Sequence, residues 1–128
     1  MGTFSVTVEV GSIDRQTWRT VEALVDTGAT FTWLPQSLLE QLGHVPDSRK
    51  SFEIGDGRVI EADIGDVPVR IGSEVRTTVC AFARSNEKPV VGAMTLEAFL
   101  LAPDPVNQRL VPVTGLRVGR LFKEGDQE

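Results

Sequence analysis

Residues 23–35 read ALVDTGATFTWLP. An apolar run, Ala23-Leu24-Val25, ends on an acid. Thr27 and Gly28 follow, and the chain then turns apolar again. A strand that looks buried thus delivers a carboxylate and stops. A buried charge is costly unless it is paired or put to use. Apolar residues on both sides predict that Asp26 is at least partly desolvated, and a functional carboxylate is the usual reason to tolerate that. Asp, Thr and Gly are also ordinary turn formers, so the tripeptide alone fits a plain strand end equally well. Gly28 has no side chain, which lets backbone or substrate approach closely.

The remaining chain reads as many short strands and two short helices. FSVTVEV alternates with period two, placing Phe4, Val6, Val8 and Val10 on one face of a strand. WRTVEALV is a second strand, antiparallel to the first. Pro35 opens a helix over QSLLEQLG, with Leu38, Leu39 and Leu42 as its apolar stripe and Gly43 at C′. Asp56-Gly57 between β-prone arms predicts a two-residue hairpin turn, with Ile54 opposite Val59 and Phe52 opposite Glu61. A further turn is expected at Gly65-Asp66. VPVRI and VRTTVCAFA are two more strands, joined at Gly72-Ser73. SNEKP is a polar loop. After VVGAM comes a second helix, TLEAFLLA, with Thr95 as N-cap. PDPVNQ is a turn, and RLVPV and GLRVG complete the β structure. Every loop is short, so residues 1–118 form one domain and 119–128 a polar C-terminal tail. VDTGA before one helix and VVGAM before the other make a faint internal echo, in which the second copy lacks the acid.

Composition narrows the chemistry. A chain of 128 residues suits one domain that needs no disulfide or metal to fold. Net charge is −5, from 18 acids against 13 scattered bases, which argues against nucleic-acid binding. The single cysteine, Cys80, allows no intrachain disulfide and reads as a small core hydrophobe. The single histidine, His44, follows a helix end and is expected at the helix dipole or in water. One Cys and one His cannot assemble a zinc cluster, and nothing near His44 supports a Ser-His-Asp or Cys-His mechanism. Nothing in the sequence calls for a metal or organic cofactor. Asp104 is a turn acid; Glu53, Glu61 and Asp63 read as solvated. The N-terminus lacks the features of a signal peptide, position 6 does not fit a myristoylation pattern, and no run approaches a membrane span. A cytoplasmic protein without membrane contact is the expectation.

An apolar strand end, Asp26-Thr27-Gly28-Ala29-Thr30, a glycine-containing hairpin, then Val90-Val91-Gly92 and a short helix resembles the retropepsin-like aspartic proteases, retroviral and bacterial. The resemblance runs from Phe4 to Val113. It implies a mainly β fold, a closed barrel with two short helices, one lobe per chain. It implies Asp26 as the catalytic acid, and a homodimer in which two copies of Asp26 activate a water for hydrolysis of a peptide or protein substrate. Thr27 would hydrogen-bond across the twofold axis. Ile54, Gly55, Asp56, Gly57 and Arg58 would form a flap over the substrate, and Gly92 would pack beneath the Asp loop.

Three departures accompany the resemblance. Asp56 and Arg58 put charge at a flap tip that retroviral enzymes keep apolar and glycine-rich. Ala93 follows Gly92 where many relatives have a polar or basic residue. The last ten residues are polar, so a dimer contact through the chain ends would differ, using RLVPVTGLRV or other surfaces. The alternative reading is a catalytically silent dimerisation or peptide-binding module of the same fold.

Overall fold

A computed structural model describes residues 3–117. The chain runs β1 (Ser5–Gly11), β2 (Trp18–Val25), β3 (Thr32–Pro35), α1 (Gln36–Gln41), β4 (Ser48–Glu53), β5 (Val59–Ile71), β6 (Glu74–Ala83), β7 (Val90–Val91), α2 (Ala93–Phe99), β8 (Leu101–Asp104) and β9 (Arg109–Pro112). The expected polar tail lies outside the described residues.

Seven strands form one sheet in the order β1-β2-β7-β3-β6-β5-β4. β1 also pairs with β5, Glu9 opposite Arg70 and Val10 opposite Val69, so the sheet curls into a ring. The alternation in β1 does what its spacing predicts: Phe4, Val8 and Val10 are buried, with Val6 packed against the same core. That core also takes Val21, Ala23 and Val25 from β2, Leu34 from β3, Val67 and Val69 from β5, and Leu96 and Phe99 from α2. Cys80 is buried there too, and burial pushes its thiol up to about 12.

The local punctuation that matches its sequence does so for steric reasons. α1 begins after Pro35 and ends in a Schellman cap: Gly43 at φ +90°, its N–H on Glu40 O (3.0 Å), and His44 N–H on Leu39 O (2.9 Å). Gly72 at φ +63° turns β5 into β6, with Ile71 opposite Glu74.

Four expectations need correction. No turn breaks β5 at Gly65-Asp66. That strand exchanges partners there instead, β4 pairing up to Ile64 and β6 from Ile64 onward, and two ladders outweigh the turn tendency of Gly-Asp. α2 begins after Gly92, so Thr95 is inside the helix, fully buried, and is not its N-cap. Leu100, in the left-handed region, ends α2, and Leu101–Asp104 pair with Arg109–Pro112 as a separate hairpin, while Gly115–Arg117 form no strand. His44 does not face water. It is buried, and its Nε2 donates to Gly11 O at 2.7 Å, tying the end of α1 to the β1–β2 turn.

His44→Phe keeps a ring in this space and leaves the Gly11 carbonyl without its donor. Urea unfolding is expected to show a loss of about 1–3 kcal/mol; an unchanged midpoint would mean the bond contributes nothing.

Candidate active site

Asp26 is the first residue past β2, and the backbone holds it from three sides. Its N–H donates to Val91 O (3.0 Å), its carbonyl accepts from Ala29 N–H (3.1 Å), and its Oδ1 accepts from Gly28 N–H (2.9 Å). The last bond is an Asx turn that aims the carboxylate. A Cβ on Gly28 would lie 3.2 Å from that same Oδ1, so glycine keeps the carboxylate unobstructed.

The loop is anchored from below by α2. Ala93 N–H donates to Ala29 O (2.7 Å) and Met94 N–H to Thr30 O (3.0 Å). These are two of the amides a helix start leaves without internal partners. Gly92 makes the approach possible. A Cβ there would sit 2.3 Å from Phe31 O and 2.7 Å from Ala29 O, so only glycine fits. Beside it, Leu24 and Val25 of β2 pair in parallel with Val90 and Val91 of β7, so the two echoing segments lie side by side.

Above the loop lies an open cleft of about 740 Å³. Asp26, Gly28, Ala29, Thr30 and Val90 line one side; Phe52, Ile54, Gly55 and Ile60 of the β4–β5 hairpin line another. The Phe52 ring meets Trp33 edge-on at 4.9 Å and Phe31 at 5.8 Å, so an aromatic cluster joins the hairpin to the loop. Thr27 is exposed and outside the lining; Val91 and Gly92 are buried behind it.

The hairpin register differs from expectation. Glu53 pairs with Val59 and Phe52 with Ile60. Gly57 N–H donates to Ile54 O (2.8 Å) and Gly57 sits at φ +87°, which makes a three-residue loop with a left-handed glycine in place of a two-residue turn. The one-residue shift sets apolar Phe52 against apolar Ile60, both half-buried and both in the cleft. Asp56, Gly57 and Arg58 form the turn beyond the cleft lining. There Asp56 accepts from the Arg58 N–H (3.0 Å) and from its guanidinium (2.7 Å). Those two donors, the backbone amide foremost, hold the Asp56 carboxyl below the usual carboxylate range.

A second correction concerns Asp26: in a single chain it is exposed. Ala23 and Val25 before it are buried in the core, while Phe31 and Trp33 after it are only half-buried, and Trp33 shares the cleft with it. Sequence reasoning did not foresee Trp33, Glu87 and Lys88 in the cleft. The apolar match of Phe52 with Ile60 was the available signal for the hairpin's contribution; the polar loop carried none for Glu87 and Lys88. Among the described residues, no group of three or more His, Cys, Asp or Glu gathers where it could hold a metal.

Residues 10–98 match the family described as "gag-polyprotein putative aspartyl protease". The chain belongs to this retroviral-type aspartyl protease family. Of 163 solved chains that match, one is the simian foamy virus (mac) protease, solved in solution. It is 14% identical, with a TM-score of 0.52, covering 72% of this chain and 90% of that one. At that identity the likeness is one of fold, and it agrees with the ring of strands and two short helices. No curated protein sequence matches significantly. The resemblance read from the sequence therefore holds for family and fold.

Two outcomes test this geometry. Gly92→Ala forces backbone apart and is expected to cost about 3 kcal/mol or more, read by chemical denaturation; a near-neutral substitution would refute the crossing. At the hairpin tip, a lowered Asp56 pKa means the turn is fully supported above the ordinary carboxylate value of about 3.9 and loosens only as pH falls below it. The Arg58 amide resonance should therefore stay constant from pH 7 to 5 and move at lower pH, and Asp56→Asn should remove that movement.

Proposed function

We propose that this chain is an aspartic endopeptidase that acts as a homodimer. The observation that supports this best is a single Asp26 carboxylate, exposed and aimed by Gly28, at the edge of a cleft walled in part by Trp33, Phe52, Ile54 and Ile60. One carboxylate supplies a base or an acid, but amide hydrolysis by water needs both at once. A second copy, related by a twofold axis through the Asp loops, supplies the other.

Two carboxylates brought that close cannot both ionise, so the pair holds one proton between them. The ionised Asp26 takes a proton from a water that attacks the scissile carbonyl carbon. The protonated Asp26 of the other copy donates to the carbonyl oxygen as it gains charge. The tetrahedral intermediate collapses when the Asp26 that took the water's proton passes it to the amide nitrogen and the other Asp26 takes back the proton from the intermediate's oxygen; the C–N bond breaks, and the pair again holds one proton. In this reading Thr27, exposed in the single chain, bonds the mate's loop, and Gly28 clears the path of the substrate backbone. The β4–β5 hairpin acts as the flap: Ile54 and Gly55 meet the peptide, and the ion-paired tip stays outside. Phe52, Trp33 and Ile60 offer apolar walls for side chains next to the cleaved bond.

The test is mass-spectrometric cleavage of a diverse peptide library near pH ~5, where one of two coupled carboxyls holds a proton. Asp26→Asn, run beside the wild type, should lose ~10³-fold or more in rate. Specific activity should fall on dilution, and excess Asp26→Asn should poison the wild type by forming mixed dimers. Equal cleavage by both proteins would refute the mechanism. Peptide binding without cleavage would instead support the silent module of the same fold.

A further inference from the structure

Four polar side chains are buried among the described residues: Thr32, Thr78, Thr95 and His44. Three of them meet behind the Asp loop. Thr32 Oγ1 lies 2.6 Å from Thr95 Oγ1, and Thr95 Oγ1 lies 3.1 Å from Thr78 Oγ1. They come from β3, α2 and β6, elements far apart in sequence. Thr95 and Thr32 are 0% and 1% exposed. A buried hydroxyl is costly without a partner and contributes little net stability with one, so valine would serve packing equally well at these positions. What three joined hydroxyls add over three valines is a fixed set of hydrogen-bond partners.

The network reaches the Asp loop through one peptide. Gly92 N–H donates to Thr32 Oγ1 at 3.1 Å. Thr32 and Thr95 share a hydroxyl–hydroxyl bond, Thr95 and Thr78 share the next, and Thr78 Oγ1 lies 3.8 Å from the Cys80 sulfur, a weak contact that closes the chain; either member of each pair can be the donor. The other end leads to Asp26. The peptide between Val91 and Gly92 donates through Gly92 N–H to Thr32 and accepts through Val91 O from Asp26 N–H. One peptide plane is thus clamped between the threonine relay and the backbone of the acid.

We infer that Thr95, through Thr32 and the Val91–Gly92 peptide, is a positioning residue that sets the orientation of the Asp26 loop. Thr95 touches neither the cleft nor the acid. Its removal takes away the side-chain hydroxyl that the Thr32 hydroxyl bonds. The Thr32 hydroxyl then turns, Gly92 N–H loses its fixed partner, and the peptide that holds Asp26 is free to tilt. The consequence for rate rests on the peptidase reading above; the consequence for the loop does not.

Wild type, Thr95→Val and Thr95→Ser of the full chain would be compared by two readouts. The first is native-state amide exchange followed by NMR, which needs no activity. In Thr95→Val, the Gly92 and Asp26 amides should exchange at least about tenfold faster than any change at the Val8 and Val67 amides explains, and Thr95→Ser should restore protection. The second uses a peptide that the wild type cleaves. kcat should fall about tenfold or more in Thr95→Val, with KM within about twofold, as expected when a reacting group is misplaced by a fraction of an ångström. The basic limb of the pH profile should move to lower pH, because carboxylates held less closely repel less on the second ionisation. Thr95→Ser should recover both. If Thr95→Val does not fold, Thr78→Val interrupts the same relay one step further away and should show the same exchange pattern in weaker form. Uniform exchange across the core and the loop, or kcat and pH profile unchanged in a folded Thr95→Val, would overturn the inference. A wild type that cleaves no peptide would count against the peptidase reading alone, with the exchange data still deciding the relay.

Discussion

The peptide between Val91 and Gly92 is the point on which the site depends. β7 is only two residues long, yet it pairs in parallel with β2 and antiparallel with β3, and so stitches the two strands that flank the Asp loop. Its end must then pass under residues 29–31 with almost no clearance, and the missing side chain at position 92 permits this. Once the chain has passed, the exposed amides of α2 meet the loop carbonyls and hold them. The ring of strands, the loop and the helix therefore share one crossing. A glycine with an ordinary extended backbone does this through space alone, since its φ of −98° is open to any residue.

The parts of this arrangement visible in sequence were those governed by local sterics or by periodicity. Period-two alternation marked β1, Gly43 marked the end of α1, Gly72 marked a hairpin, and Asp26-Thr27-Gly28 marked the loop. The parts that stayed hidden depended on partners far along the chain. Thr95 follows an apolar strand end and precedes Leu96, as an N-cap would. Its interior position comes from Gly92, which the Asp loop fixes from more than sixty residues earlier. Gly65-Asp66 has turn composition, but β5 has a ladder on each side of it. His44 had no apparent partner because the carbonyl of Gly11 that receives it lies 33 residues away. The β4–β5 hairpin register is an intermediate case: Asp56-Gly57 suits two loop lengths, and the cross-strand match of Phe52 with Ile60 decides between them.

The charge at the tip of the β4–β5 hairpin is a departure from the retroviral resemblance. Asp56 satisfies Arg58 within the turn, and neither lines the cleft. Surface pairs of this kind contribute little to stability. Their effect is on shape: the bond from the Arg58 N–H to the Asp56 carboxylate spans the left-handed Gly57. From the same hairpin, apolar Phe52, Ile54 and Ile60 line the cleft, with Ser51 and Glu53 beside them.

The exposure of Asp26 in one chain bears on how such a site can exist at all. A carboxylate desolvated within a single fold would tax that fold's stability. Here the lone chain avoids this, because Asp26 is exposed and its Oδ1 accepts from Gly28 N–H. In the proposed dimer the desolvation arises on association, when two carboxylates approach, and it is relieved by a proton shared between them. Association is then linked to proton uptake, and the free energy that brings two chains together is also what tunes the acid and the base. The threonine relay belongs to the same division. It contributes little to the stability of the lone chain, but it fixes the angle at which each Asp26 would meet its mate, which matters only after the second chain has arrived.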